Sequence, residues 1–201
     1  MAQMTQFDFE DGDGPVPAHQ HPNGGGWVAN TAHVGKFNFV GPDARVFGKA
    51  SVCDMARIYE CARVSDYAKV SGHGIITNNA KVSGHARVTD FVLVFNNAHV
   101  FGRARVSYQA LVSGDSRVCG HARVFDGAHI HGNARVYGGA WVSGKALVHG
   151  NAQVYGRAWV HGKSTVFGNA SVCGNARVGG NLEIYEDKHL YDDIGLLSFP
   201  F

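Results

Sequence analysis

The sequence predicts an all-β protein, a parallel β-solenoid with the outline of a triangular prism, and three observations lead to this fold class. A six-residue motif repeats without insertion or deletion from Gly26 to Asp187, which gives 27 hexads. The third position of every hexad is Val or Ile, and 19 of the 24 hexads from Ala44 onward begin with Ala. Glycine occurs 27 times and proline only five times. This pattern is typical of short strands and tight corners stacked around one core.

Each hexad is predicted to form a short strand followed by a corner. Side chains alternate along a strand, so the first and third positions place Ala and Val in the core and the second position points outward. The fifth position is Gly in 15 of the same 24 hexads. Glycine adopts the positive φ that a tight corner requires without a steric penalty, which explains its excess in the composition.

Outward-facing aliphatic residues predict how many hexads complete one coil. Ile75, Leu93, Leu111 and Leu147 occupy second positions and are separated by multiples of 18 residues. Three hexads per coil stack these side chains on one face, whereas two hexads per coil divide them between faces. The 27 hexads therefore predict nine coils, and a strand spacing of about 4.8 Å gives a prism roughly 43 Å long.

The repeat resembles that of the hexapeptide-repeat, left-handed β-helix proteins. It is most similar to bacterial and phage-encoded members with runs such as GNARVYGGAWVSG, which is residues 132–144 here. The resemblance covers residues 26–187 and implies a left-handed, single-stranded β-helix in a homotrimer. Many such proteins are acyltransferases that use acetyl-CoA or a related donor. Those enzymes interrupt their hexads with an inserted loop, which this chain lacks, and no residue here matches a catalytic motif of the family.

Three segments are expected along the chain. Residues 1–25 lack the repeat and form an N-terminal leader or cap, and residues 26–187 form the hexapeptide-repeat β-helix. Residues 188–201 are an apolar C-terminal tail or cap. Because a solenoid ends in open strand edges, this tail is expected to cover the last coil, to contact another chain or to lie back along the prism.

The outward second positions give the three faces of the prism different chemistry. The apolar face is predicted to be an oligomer interface, since long exposed apolar stripes mark contact surfaces; the alternative is that the tail of the same chain covers it. It carries Ile75, Leu93, Leu111 and Leu147, with Phe95 at an outward fourth position. The first basic face carries Arg45, Arg63, Lys81, His99, Arg117 and Arg135. The second basic face carries Lys69, Arg87, Arg105, Arg123, Trp141, Trp159 and Arg177.

The two basic faces predict binding to an anionic macromolecule, which is nucleic acid, a phosphorylated glycan or an acidic protein. The alternative is a pair of solvated faces on which arginine stems cover the sheet. Five corner acids stand near these faces as possible partners for the cations: Asp54, Glu60, Asp66, Asp90 and Asp126.

Three histidines form one compact group in the repeat. His129 and His131 share the outward side of one hexad, and His149 lies one coil from His131. Three imidazoles in this pattern suggest a metal site, and His131 or His149 is the candidate general base of an acyltransferase. The alternative is ordinary surface histidine, because the same positions elsewhere hold Tyr, Phe, Ser or Leu.

Charge and composition limit the function classes. The formal net charge is only +2, yet residues 14–182 hold 17 Lys and Arg against 7 Asp and Glu, so a basic prism is flanked by acidic ends. No run of 18 apolar residues exists, which argues against a membrane span. The acidic start argues against a signal peptide, and four cysteines without a predicted disulfide fit a reducing compartment. We expect a cytoplasmic protein, or a virion component if the chain is phage-encoded.

The sequence thus predicts a non-enzymatic β-solenoid, structural or binding in role, that forms a homotrimer and needs no cofactor. The alternative is an acyltransferase that uses acetyl-CoA.

Overall fold

A computed structural model describes residues 5–191 and confirms the predicted fold class. The described part of the chain contains no helix, so nothing in it could cross a membrane as a helix. Its strands form three sheets, one of 12 strands and two of nine, that face one another as the sides of a prism.

In chain order the strands are β1 Gln6–Phe7, β2 Val16–Gln20, β3 Trp27–Ala29, β4 His33–Val34, β5 Phe39–Val40, β6 Arg45–Val46, β7 Ser51–Val52, β8 Arg57–Ile58, β9 Arg63–Val64, β10 Lys69–Val70, β11 Ile75–Ile76, β12 Lys81–Val82, β13 Arg87–Val88, β14 Leu93–Val94, β15 His99–Val100, β16 Arg105–Val106, β17 Leu111–Val112, β18 Arg117–Val118, β19 Arg123–Val124, β20 His129–Ile130, β21 Arg135–Val136, β22 Trp141–Val142, β23 Leu147–Val148, β24 Gln153–Val154, β25 Trp159–Val160, β26 Thr165–Val166, β27 Ser171–Val172, β28 Arg177–Val178, β29 Glu183–Ile184 and β30 His189–Leu190.

The register confirms three hexads per coil. From β3 onward, each strand pairs in parallel with the strand three places later, so Arg87 lies beside Arg105 and Val88 beside Val106. The first basic face is the 12-stranded sheet, the second basic face is the sheet from β4 to β28, and the apolar face is the sheet from β5 to β29. The residues predicted for each face therefore lie on one sheet each.

The core is a column of small and β-branched side chains. With few exceptions near the two ends, the inward Ala and Val or Ile side chains are fully buried. Neighbouring coils are joined by regular backbone bonds, such as that from the Arg87 N–H to the Ala104 carbonyl at 2.9 Å. Burying a Val contributes about 1.5 kcal/mol or more, so the stability of the prism is spread along its length.

The corners use positive φ at the fifth position of the hexad, as predicted. At Gly102, where φ is 69°, an added Cβ would lie 3.0 Å from the Gly120 nitrogen of the next coil. Where an acid replaces the glycine, its carboxylate binds the next coil. Asp66 Oδ2 accepts the Gly84 N–H at 2.7 Å, and Asp54 Oδ2 accepts the Gly72 N–H at 2.9 Å. These carboxylates hold coils together and are not the arginine partners that the sequence suggested.

One corner carries a ladder of side-chain amides at the sixth position. Asn133 donates to Asn151 at 3.1 Å, Asn151 donates to Asn169 at 3.0 Å, and Asn169 donates to Asp187 at 3.1 Å. Such stacked amides satisfy one another and fix the vertical alignment of the corner.

Residues 5–25 cover the first coil from the N-terminal side. β1 pairs antiparallel with β2, and β2 pairs antiparallel with β3, which brings this segment onto the edge of the first basic face. Phe9 is fully buried and stacks on Phe47, with ring centroids 5.0 Å apart. Glu10 forms salt bridges to Arg45 at 2.9 Å and to Arg63 at 2.8 Å, and these guanidinium groups lower the pKa of its carboxyl.

The repeat continues slightly beyond the boundary that the sequence suggested. β30 pairs with β27, which places His189 beside Ser171 and Leu190 beside Val172. The solenoid thus extends past residue 187. The expected contacts of the remaining tail, residues 192–201, lie outside the described part of the chain.

Candidate anion-binding cleft

The second basic face presents an uninterrupted arginine ladder at its centre. Arg87 pairs in register with Arg105, and Arg105 pairs with Arg123. All three side chains are exposed, as is that of Lys69 one coil earlier. At a strand spacing of about 4.8 Å, the ladder carries one cation per coil over four coils.

The preceding corner adds three more basic groups to this ladder. His85, Arg103 and His121 occupy the sixth positions that come just before β13, β16 and β19. Together with the three ladder arginines they line a cleft of about 360 Å³. Sequence reasoning missed these corner residues because it followed the second and fourth positions. Their 18-residue spacing is the signal that would have found them.

The residues that line the cleft are all basic. Among residues 5–191, no carboxylate lies within salt-bridge distance of Arg87, Arg103 or Arg105. Arg123 instead places its guanidinium 4.9 Å from the Trp141 ring centroid, a cation–π contact that leaves its charge unneutralised. Like charges held this close repel one another, so a bound anion would relieve the repulsion.

Two tryptophans follow the arginine ladder on the second basic face. Trp141 and Trp159 pair in register, with ring centroids 6.3 Å apart in an edge-to-face arrangement. The Trp159 indole N–H donates to the Ser143 hydroxyl at 3.0 Å. These contacts hold the two rings beside the C-terminal end of the arginine ladder, as the sequence predicted.

The first basic face is a weaker candidate for anion binding. Glu10 forms salt bridges to its first two cations, Arg45 and Arg63, and its single negative charge offsets one of their two positive charges. At the middle of the ladder stands His99, whose pKa is lowered by burial and then by Lys81 and Arg117. Its Nε2 lies 2.9 Å from the Ser83 hydroxyl oxygen. Lys81, Arg117 and Arg135 are exposed. On one side of Lys81 lies Arg63, which is paired with Glu10, and on the other side lies His99, so the series of unpaired cations is interrupted on both sides.

Two of the three grouped histidines stack on each other, and the group is not arranged as a set of metal ligands. His131 and His149 lie face to face with centroids 4.7 Å apart, and His149 stacks in turn on Phe167 at 5.3 Å. Burial, followed by His149 and His129, lowers the pKa of His131. Within residues 5–191, no group of three or more His, Cys, Asp or Glu side chains is placed to hold a metal ion.

The apolar face brings the predicted aliphatic residues into register. Ile75 pairs with Leu93, and Leu93 pairs with Leu111, after which His129 separates Leu111 from Leu147. These side chains are half-buried, as is that of Phe95. Neighbouring residues of the sheet therefore cover part of each side chain, and the exposed parts form an apolar surface that faces outward.

The fold and the repeat define this chain as a β-solenoid repeat protein. A family model described as the YdcK beta solenoid repeat matches residues 116–132 and 128–144. These residues span β18 to β22 and include His121 and Arg123 of the cleft. No curated protein matches the chain.

Proposed function

We propose that the chain is a non-enzymatic β-solenoid binding module whose second basic face holds an anionic polymer. The single observation that carries this proposal is the cleft lined by four arginines and two histidines. Its repeat of one ladder arginine per coil suits a ligand with many negative charges in a line. An extended polyanion gains one favourable contact per coil and releases its counterions, which makes its binding depend on salt.

The test is a double charge reversal in the ladder, Arg105→Glu with Arg123→Glu. We expect this variant to elute from a heparin column, and from a DNA column, at a much lower salt concentration than the wild type. Two attractive contacts become repulsive ones on adjacent strands, which lie about 4.8 Å apart. The measurement is the salt concentration at the elution peak, with circular dichroism to establish that the fold is retained.

The matched control is Arg117→Glu with Arg135→Glu. It changes the net charge by the same amount at the same strand position on the first basic face. We expect this control to shift elution only slightly. Equal shifts for the two variants would mean that retention follows net charge alone, and the proposed cleft would then be wrong.

We further propose a homotrimer formed through the apolar face. Support comes from the register of Ile75, Leu93 and Leu111 on one sheet and from the trimers that the hexapeptide-repeat resemblance implies. Multi-angle light scattering should give three times the chain mass of 21.5 kDa. Leu93→Glu with Leu111→Glu should lower the mass to that of one chain. A wild-type monomer would reject the trimer.

The resemblance to hexapeptide-repeat proteins supports a left-handed coil and a bacterial or phage source. The four free cysteines favour a cytoplasmic location, or a virion location if the source is a phage. Acyl transfer with acetyl-CoA, with His131 or His149 as the base, is the alternative function that the resemblance implies. The stacking of these two rings does not favour that chemistry over a structural role.

A further inference from the structure

A second cavity lies on the other side of the strands that carry the arginine ladder. Its volume is about 390 Å³, and it occupies the corner that follows β13, β16 and β19. Six residues line it: Asp90, Phe91, Tyr108, Gln109, Asp126 and Gly127. Arg87 precedes Phe91 by four residues, at most about 14 Å of extended chain. A single polymer lying across this face would reach both cavities.

Two aromatic rings of this corner are exposed without a role in the core. The side chain of Phe91 is 63% exposed, although one part of it stacks on His73 at 4.7 Å. Tyr108 is 58% exposed in the next coil. Large apolar rings held at a surface are typical of contact residues, because their burial by a ligand is favourable.

Tyr108 also occupies a backbone conformation that does not suit it. Its φ is 60°, and the other nine non-glycine residues with positive φ among residues 5–191 are all Asp, Asn or Glu. A bulky residue there is strained, whereas glycine or aspartate would form the corner more easily. Strain of this kind is concentrated at binding sites, since the fold alone gives no reason to keep it.

The polar groups of the cavity are suited to hydroxyl ligands. Asp90 Oδ2 accepts the Tyr108 N–H at 3.1 Å and the Thr89 hydroxyl at 2.9 Å, which fixes the carboxylate. Asp126 Oδ2 accepts the Gly144 N–H at 3.3 Å. In each carboxylate the second oxygen has no hydrogen bond to the described residues, and the amide of Gln109 offers both a donor and an acceptor. No Lys or Arg lines the cavity.

From this juxtaposition we propose that the anionic polymer of the proposed function is an acidic polysaccharide, and that the corner cavity holds one of its sugar rings. A pyranose has an apolar C–H face that packs on an aromatic ring, and hydroxyl groups around its edge that donate to fixed carboxylates. The acidic groups of the polymer lie on the arginine side of the same three coils. The inference rests on the proposed function and names its ligand class.

Single-stranded nucleic acid is the competing ligand, because its bases also stack on aromatic side chains. The two carboxylates argue against it. A nucleic acid carries a phosphate at every residue, and phosphates that approach Asp90 and Asp126 are repelled. The rings of an acidic sugar chain keep free hydroxyl groups beside their charges, and these hydroxyls donate hydrogen bonds to the two carboxylates while the acidic groups face the arginines.

The test compares two probes by isothermal titration calorimetry on the full chain, a heparin-derived hexasaccharide and the oligonucleotide dT10. The test variant is Phe91→Ala with Tyr108→Gly. We expect its affinity for the hexasaccharide to fall by about tenfold or more, while any affinity for dT10 is unchanged. Because glycine relieves the strain at position 108, the melting temperature of Tyr108→Gly alone should equal or exceed that of the wild type.

The matched control is Phe37→Ala. Phe37 is 69% exposed at the same corner, three coils before Phe91 and outside the cavity, so its removal should not change the affinity for the hexasaccharide. An unchanged affinity of the double variant, or an equal loss with Phe37→Ala, would overturn the sugar site but leave the anion cleft. If the wild type bound dT10 but not the hexasaccharide, the sugar site would also be overturned and the anion cleft would remain. Binding to neither probe would reject both proposals.

Discussion

Replacing Val106 with aspartate is expected to unfold the chain. Val106 is fully buried in β16, between Val88 of the preceding coil and Val124 of the next. The surrounding core consists of Ala, Val and Ile side chains, which offer a carboxylate no partner. The substitution removes about 1.5 kcal/mol or more of apolar burial and adds the larger cost of an unpaired buried charge. A loss above about 4 kcal/mol is expected, comparable with the whole stability of many domains.

The control for this prediction lies one residue away. Arg105→Asp places the same carboxylate on the same strand, but at an outward and exposed position. Its effect on the free energy of unfolding should stay within about 0.5 kcal/mol. Both are measured by urea denaturation followed by circular dichroism. Equal stability of the two variants would show that the inward and outward positions have been assigned wrongly.

The second large effect is the difference between deleting 18 residues and deleting one. Removal of residues 146–163 takes out one full coil, so every later side chain stays on its face and the cleft between His85 and Arg123 is untouched. We expect this variant to fold and to bind heparin as the wild type does. Each coil contacts only its neighbours, which makes the loss of one coil tolerable.

Removal of Ala146 alone should be far more damaging. It moves every later residue by one position, so seven inward Val and Ile residues from Val148 to Ile184 lose their place in the core. Their burial is worth on the order of 10 kcal/mol in total. We expect rapid proteolysis of the part after residue 145, detected by mass spectrometry. Similar protease resistance in the two deletion variants would contradict the three-hexad coil.

The repeat made the fold predictable because its physical causes are local. Alternation along a strand placed the Val and Ala column in the core, and the spacing from Ile75 to Leu93 revealed the coil length that the register confirms. The left-handed coil stays a proposal that rests on the resemblance, because periodicity carries no information about handedness.

The site was less predictable because it depends on corners. The direction of a corner side chain follows from local φ and ψ values that the motif does not specify. The sequence pattern therefore did not predict that three corner residues line the cleft, namely His85, Arg103 and His121. It also did not predict that Asp54 and Asp66 accept hydrogen bonds from backbone N–H groups of the next coil instead of pairing with arginines. The strain at Tyr108 is likewise a backbone property, invisible in composition or spacing.

Only the structure shows how the two basic faces differ. In the sequence, the first and second basic faces look equivalent, with one cation in most coils. Glu10 distinguishes them, because the fold of the N-terminal segment brings this acid from outside the repeat onto Arg45 and Arg63. The hexad pattern cannot predict a contact between residues that are this far apart in the sequence.

The most direct test of the anion cleft is the affinity for the heparin-derived hexasaccharide as a function of salt concentration. We predict that wild-type affinity falls steeply as salt rises, because several charge pairs exchange with counterions. For Arg105→Glu with Arg123→Glu, the affinity at low salt should be at least about tenfold weaker and its salt dependence shallower. The same affinity and salt dependence for this variant and the wild type would contradict the assignment of the cleft.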